Sequence, residues 1–492
     1  MKRLIALGLS ACCLFLSGCF LDGGSHPDVN DLNAQAQASY DAGTYQDSLT
    51  LYAEAMKTNP MDVNAILGAA RCQIALENYD MAATNLSAAA QVDPQNLEIY
   101  DLYIQLSDLT GQIGYAHTAV NLAKNYQVEP FLEKVPEAPQ FDIPDGNLNG
   151  RTEVSVTVPE GTEVYIQESR SNLYTITYRY AQPFTISRGD TQLAAYSLKD
   201  GVPSTLTFAN YSCDYPSSEI AFADPVMESL VRMTLNRPSG PITDRDCEQV
   251  VSLNIRDLTT DYSDDGPQLQ SLQDLMWFPN LQTLQLDRQN NISDYSPLQL
   301  CRYLSSLHLS NCGIQDLSFL QNTAMIQTLY LSDNEIRDLT PLAGYQHLYA
   351  LQLNGNPIAT LEPLYGVGIE QLSLDMNQLP DLSALLNFPG LIYLNLNDCG
   401  GQDLSLLGQL TDLQSLYLYS SEAPLTDITF LQNLTNLTNL SMYGLTDYSQ
   451  AGLVKNLTKL QYLTLRTIDY ADPPSGLQEE LKQSLPNCDI WL

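Results

Sequence analysis

A short apolar phrase repeats through the second half of this chain. Leu-x-Leu, or a near equivalent, stands at Leu284/Leu286, Leu307/Leu309, Leu329/Leu331, Leu351/Leu353, Leu372/Leu374, Leu394/Leu396, Leu416/Leu418, Leu440/Met442 and Leu463/Leu465. The steps between them are 23, 22, 22, 21, 22, 22, 24 and 23 residues. Three residues before each triplet sits another aliphatic: Leu281, Leu304, Ile326, Leu348, Ile369, Leu391, Leu413, Leu437 and Leu460. Residues two apart share one face of a strand, so each triplet reads as a short strand with an apolar face and a free face. One such unit is too small to bury its own apolar side, and stacking of neighbours buries it. Nine units fit, and an irregular tenth begins at Leu253-Asn-Ile255. An open stack exposes an apolar end and therefore needs caps.

The period near 22, with the phrase Ile336-Arg-Asp338-Leu339-Thr-Pro341-Leu342, resembles the bacterial internalin-type leucine-rich repeat. The resemblance implies an α/β-type leucine-rich repeat solenoid of about nine to ten turns over residues 251–475. Ile220-Ala-Phe222-Ala-Asp224, an amphipathic helix near Pro225–Leu235 and Gly240–Thr243 resemble the helical cap of such arrays, placed at 213–250. Residues 476–492 read as a closing helix, Gly476–Leu485, and a final strand over the last core layer. Asn334, Asn356 and Asn377 occupy the family's ladder position, where a buried amide bonds to backbone of adjacent turns. Cys312 and Cys399 share that phase and read as buried structural thiols. Ser421 and Leu445 break the ladder, which predicts looser C-terminal turns.

Two columns of side chains run across the units. Asp294, Asp316, Asp338, Asp381, Asp403, Asp427 and Asp447 each precede Leu, Ile or Tyr and then Ser or Thr. Such an Asp accepts backbone N–H groups and starts a turn; no second oxygen ligand recurs at the spacing calcium requires. On the strands, alternation places Tyr330, Tyr393, Tyr417, Tyr419, Tyr443 and Tyr462 on the free, concave face. Residues 338–454 contain 11 Asp+Glu and no Lys or Arg. Tyr supplies rigid area with a polar tip, so this aromatic patch in an acidic region predicts a partner with a basic or amide-rich surface. Tyr also serves simply as cover for a half-exposed sheet, and aromatic faces stack on sugars, which keeps a neutral glycan in view.

Residues 29–128 repeat at a different period, 34. Leu32, Ile66 and Tyr100 share a phase; so do Tyr45, Tyr79 and Ile113, and the small residues Ser48, Ala82 and Ala116, and Ala55, Ala89 and Ala123. Pro60 and Pro94 end the first two units. Each unit predicts two amphipathic helices held close by small residues. The pattern resembles three tetratricopeptide repeats, the third departing with Val128 where Pro is expected and Ile113 where Tyr is expected. The resemblance implies a groove for peptides or a subunit; a plain helical spacer is the alternative.

Pro130, Pro136, Pro139 and Pro144 mark a linker over 129–150. Short alternating stretches at 151–212 predict a small β-sandwich. The run Pro159-Glu-Gly-Thr162…Tyr165…Tyr178…Pro183…Ile186…Leu193-Ala-Ala-Tyr196…Gly201…Ser204 resembles the chitobiase/β-hexosaminidase C-terminal module, an accessory domain. That family's Asp-Gly-Ser-x-Pro turn is replaced here by Glu168-Ser169-Arg170-Ser171-Asn172, and a spacer role is expected.

The first residues read as an address. Lys2 and Arg3 precede the apolar run Leu4–Leu16, 13 residues and too short to span a bilayer. Leu16-Ser17-Gly18-Cys19 follows and resembles the bacterial lipobox. It implies a signal peptide at 1–18 and a diacylglyceryl group on Cys19, with 19–28 as tether on the extracytoplasmic face of the cell membrane. Seven other cysteines follow at wide spacings without CxxC, and only Cys213 and Cys247 are a pair worth testing for a bridge.

The chain is multidomain: α-helical tetratricopeptide-like repeats, a small β-sandwich and the leucine-rich solenoid. With 57 Asp+Glu against 22 Lys+Arg in 492 residues, a net charge of −35 excludes phosphate-backbone binding as its main business. Four histidines and the absence of HExxH, G-x-S-x-G or a phosphate loop leave no motif for catalysis, a metal or a cofactor. The expected role is non-enzymatic binding of an envelope or host-surface protein through the concave tyrosines. A glycan-binding module and an envelope scaffold acting through the helical repeats are the alternatives.

Overall fold

The computed structural model describes residues 28–170, 173, 175–258, 266–320, 323, 325–375, 379, 381–397, 403–421 and 423–492. The signal, Cys19, Ser171, Asn172, Asn377 and Cys399 lie outside them. The described chain forms two compact units. One holds the helices to Ala138 with Pro159–Thr162 and Ser197–Thr205; the other holds the rest.

In the first unit, α1 (Val29–Asp41), α2 (Tyr45–Thr58), α3 (Val63–Ala75), α4 (Tyr79–Val92), α5 (Leu97–Thr110) and α6 (Ile113–Tyr126) make three helical hairpins. The first helix of each hairpin is capped by a side-chain oxygen, from Asp28, Asp62 and Asn96 in turn. The small phases are why the helices can nest: Ser48, Ala55, Ala82, Ala89, Ala116 and Ala123 are all fully buried. Val128, the departure in the third unit, is buried with Phe131 of the short helix α7 (Glu129–Leu132). An apolar residue there closes the last helical layer, which Pro would not. Val202, from the segment 197–205, joins the same core.

In the second unit, a mixed sheet runs in the order β1 (Gly146–Leu148), β8 (Thr207–Cys213), β6 (Gly189–Lys199), β3 (Glu163–Arg170), β4 (Ile176–Arg179); the last residues of β6, which belong to the first unit, pair there with β7 (Val202–Pro203). A ribbon of β2 (Thr152–Val154) and β5 (Phe184–Ile186) shares its core. The stretch expected to be a linker, 129–150, is therefore partly built into structure: α7 enters the helical core, and β1 pairs parallel with β8. Its prolines obscured both in the sequence.

The long sheet has eleven parallel strands in sequence order. They are β9 (Ser252–Asn254), β10 (Thr283–Gln285), β11 (Ser306–His308), β12 (Thr328–Tyr330), β13 (Ala350–Gln352), β14 (Gln371–Asp375), β15 (Tyr393–Asn397), β16 (Ser415–Tyr419), β17 (Asn439–Leu445), β18 (Tyr462–Thr467) and β19 (Asp489–Trp491). The paired leucines lie in register, Leu253 through Leu284 and Leu307 to Leu463 and Ile490, in one apolar core from Ile220 to Leu492. The cap helix α8 (Pro225–Thr234) is locked by two buried carboxylates: Asp274 accepts from Ala223 and Asp224 N–H, and Asp224 accepts from Gln270 and Ser271 N–H. Helix α9 (Leu477–Ser484) and β19 close the other end.

Adjacent turns are joined differently along the array. Asn334 Oδ1 accepts from Cys312 and Ile314 N–H, and its amide donates to Leu309 and Leu331 carbonyls. Asn356 repeats this one turn on. The Cys312 thiol, buried in the same phase, donates to Leu286 O at 3.2 Å. The C-terminal turns are not left loose where the ladder stops. Their strands lengthen from three residues to five, seven and six in β16, β17 and β18, and backbone bonds from Ser420 to Tyr443 and from Leu425 to Gly444 replace the amides.

The sandwich is joined to the long array through a buried charge cluster. Glu168 is fully buried; its carboxylate accepts from Arg302 Nε at 2.9 Å and Nη2 at 3.1 Å, from the Tyr178 hydroxyl at 3.1 Å and from the Tyr303 hydroxyl at 3.4 Å. Burial pushes this carboxyl up, but Arg302 outweighs it and holds Glu168 below the ordinary carboxylate value. Arg170 bonds Asn280, Arg188 pairs with Glu248 and Asp244, and Tyr303 and Met325 enter the sandwich core. Glu168 and Arg170 belong to the segment that departs from the accessory-module pattern. The departure is where this sandwich grips its neighbour.

Cys213 and Cys247 are separate buried thiols and not a bridge; the Cys213 thiol donates to Gly150 O. Among the described residues no helix is long and apolar enough to cross a membrane, and no group of His, Cys, Asp or Glu is placed to hold a metal.

Candidate functional site

The free face of the long sheet carries three rows of side chains, set by strand register. The first runs Tyr393, Ser415, Asn439, Tyr462, Asp489; the second Ser373, Asn395, Tyr417, Ser441, Thr464, Trp491; the third Asn397, Tyr419, Tyr443, Arg466. The leucines between them point into the core, so the side chains in these rows lie on the free face, where Ser373 alone of them is buried.

Four of the six tyrosines form one aromatic block. The Tyr393 and Tyr417 ring centroids are 5.3 Å apart, and those of Tyr419 and Tyr443 are 6.1 Å apart. Tyr417 and Tyr419 are neighbours on β16, so the two pairs form a staggered set. Burial, then Tyr417 and Tyr330, raise the Tyr393 phenol above its ordinary value. Tyr462 stands beside the block, in register with Asn439 and 60% exposed. Tyr330 lies three strands before Tyr393, its ring packed on His308 at 4.1 Å and still near enough to act on the Tyr393 phenol. Burial holds the His308 imidazole below its ordinary pKa.

Alternation alone had not brought in Trp491 or Arg466. Trp491 is 59% exposed and continues the middle row from Thr464. Arg466 ends the third row beside Tyr443. The signal for both was available in the register of the last two strands. Asn395, beside Tyr417 in the middle row, has a buried amide oxygen without a hydrogen-bond partner among the described residues.

The aspartate column lies in the turns and not on this face. Each of its seven carboxylates accepts the N–H of the residue two positions on: Ser296, Ser318, Thr340, Ser383, Ser405, Thr429 and Ser449. The hydroxyl and N–H of that residue hold Asp294, Asp338, Asp381 and Asp447 below the ordinary value; the same bonds, N–H first, do so at Asp403 and Asp427. Beside the strand starts lies an open depression of about 460 Å³ lined by Gly390, Ile392, Asp412, Gln414, Asn436, Thr438 and Lys459.

Comparison with known proteins gives one family match and several similar structures. Residues 39–106 match the family model of the tetratricopeptide repeat. An internalin of Listeria monocytogenes is similar in structure at 24% identity over 55% of this chain and 82% of that one, with a TM-score of 0.42. Internalin C2 of the same organism is similar at 24% identity over 49% of this chain and 97% of that one, with a TM-score of 0.33. The type III secretion chaperone SycD of Yersinia enterocolitica, in complex with a peptide of the translocator YopD, is similar at 21% identity over 23% of this chain and 87% of that one, with a TM-score of 0.20. A search of curated proteins finds no match. The chain is thus similar to tetratricopeptide-repeat proteins over its helices and to internalins over about half its length.

Proposed function

We propose that this is a non-enzymatic, lipid-anchored surface protein that binds a protein partner through the free face of its leucine-rich array. The observation that carries the reading is the block of Tyr393, Tyr417, Tyr419 and Tyr443, whose rings cluster on an outward sheet face without polar groups arranged for catalysis. Aromatic clusters of this kind supply the anchors of protein interfaces. Anchoring is proposed at Cys19, with the remainder held outside the cytoplasm. A neutral glycan is the second reading, favoured by Asn and Ser interleaved with the rings.

Capture by the full chain tests this. Native protein and a Tyr417→Ala/Tyr419→Ala/Tyr443→Ala form of equal melting temperature would face envelope extracts, host-cell surface extracts and neutral polysaccharide. A protein held only by the native form supports the reading; equal capture by both makes the tyrosines sheet cover. Labelled palmitate incorporation lost in Cys19→Ala tests the anchor.

A further inference from the structure

Much of the acidity of 338–454 lies off the strands β15–β18, although Asp375 on β14 stands in register with Asn397 at the start of the third row. Of the acids between 338 and 454, Asp338, Asp381, Asp403, Asp427 and Asp447 are spent on backbone N–H groups in the turns. Those turns stack across the apolar core from the strands, about 10 Å away at usual packing distances. These five carboxylates therefore sit on the turn side of each unit and contribute no side chain to the strand face. The rows over β15–β18 hold Tyr, Asn, Ser, Thr and one cation, Arg466. A basic partner, expected from the composition, loses its main attraction there.

Arg466 is half-buried and makes no hydrogen bond or ion pair among the described residues. Arg188, Arg237 and Arg302 by contrast are ion-paired. Of the acids near the last turns, Asp469 accepts the Ala471 N–H, Asp469 and Asp472 lie, like Arg466, near the Tyr448 phenol, and Asp489 stands on the next strand opposite Tyr462. A guanidinium is a fixed fork that matches a carboxylate with two parallel bonds. Rings beside it exclude water and strengthen such bonds.

We propose that this face receives a protein segment that sets an Asp or Glu carboxylate on Arg466 and an adjacent aromatic or aliphatic side chain over Tyr419 and Tyr443, with Trp491 as the far wall. The proposal rests on the protein-binding reading above and adds the chemistry of the partner.

The test is selection from a displayed library of random peptides on immobilised full-length protein. Native protein, Arg466→Gln, Arg466→Glu and Tyr417→Ala/Tyr419→Ala would be used, each checked for unchanged melting. The native form is expected to enrich peptides with Asp or Glu next to an aromatic or aliphatic residue. Arg466→Gln should weaken them at least tenfold, and replacing the peptide acid by its amide should weaken native binding equally while costing nothing further in Arg466→Gln. Arg466→Glu should shift selection toward Lys or Arg. Enrichment of basic or uncharged peptides by the native form, or equal binding by Arg466→Gln, overturns the proposal. If the Tyr variant alone loses those peptides, the surface stands and the carboxylate assignment falls. Peptides that survive both changes, or retention of neutral polysaccharide and no peptide, sink both readings.

Discussion

The first and last turns of the leucine-rich array are written in the same 22-residue language but joined by different means. Early strands span three residues, and their turns are stitched by buried side chains, Asn334, Asn356 and the Cys312 thiol. Late strands span five to seven residues and are stitched by backbone. The early end is also gripped from outside, where the sandwich presses Glu168 onto Arg302. Its free face carries short polar residues and one His308–Tyr330 pair. The late end carries the aromatic block. The difference teaches that buried polar groups secure one half, while longer strands in the other widen the outward face and give it a third row, Asn397 to Arg466.

The sharpest way to break this contrast is at the grip. Glu168→Ala leaves Arg302 buried without its partner and is expected to cost on the order of 3–5 kcal/mol, measured by urea unfolding. Glu168→Gln should cost less, because the amide still accepts from Arg302. The pair also gives a pH signature. Its carboxyl sits below the ordinary value in the folded chain, so its stabilisation is present above about pH 4.5 and is lost as pH falls through the folded value. The native chain should lose stability in acid below that range, and Glu168→Gln should lose less of it.

Asn356→Ala tests the early ladder. It strands the Ile336 N–H and removes one of two amide donors from the Leu331 carbonyl, which keeps Asn334, and about 2 kcal/mol is expected from the buried unmade bond. In the late half the corresponding weak point is backbone. Gly444 has a φ of +102°, and a Cβ there would run into the Ser420 carbonyl oxygen, so Gly444→Ala should cost on the order of 2 kcal/mol. Hydrogen exchange should show its opening confined to β16–β18. If it instead loosens β11–β13, the two halves are not separate in the way drawn here. The smallest effect is expected at Tyr462→Ala, within about 0.5 kcal/mol since the ring is exposed; its consequence should appear in partner binding and not in melting.

Periodicity carried far because repeats make each local choice visible many times. The Leu-x-Leu register, the ladder at Asn334 and Asn356, the turn role of the aspartates and the outward tyrosines could all be read by counting. The candidate site was less complete. Trp491 was missed because its strand carries no Leu-x-Leu phrase, whereas Arg466 follows Leu463/Leu465 in plain alternation and was passed over because only the tyrosines were followed. Their place on the face follows from pairing with β17 and β18. Glu168 could not be read at all: its partner Arg302 lies 134 residues away, and nothing local signals such a pair. The Pro-rich stretch misled for a related reason. Proline breaks local pattern, yet Phe131 and β1 find partners elsewhere in the chain.

Sequence by itself determined the two periods, the apolar side of each unit and the identity of the outward residues, since these depend on spacing within one turn of chain. Tertiary structure alone decided which tyrosines meet, that Arg466 stands beside Tyr443, and that the sandwich is pinned through a buried charge. Those outcomes depend on register between turns and on contacts between residues far apart in the chain, and local spacing holds no record of either.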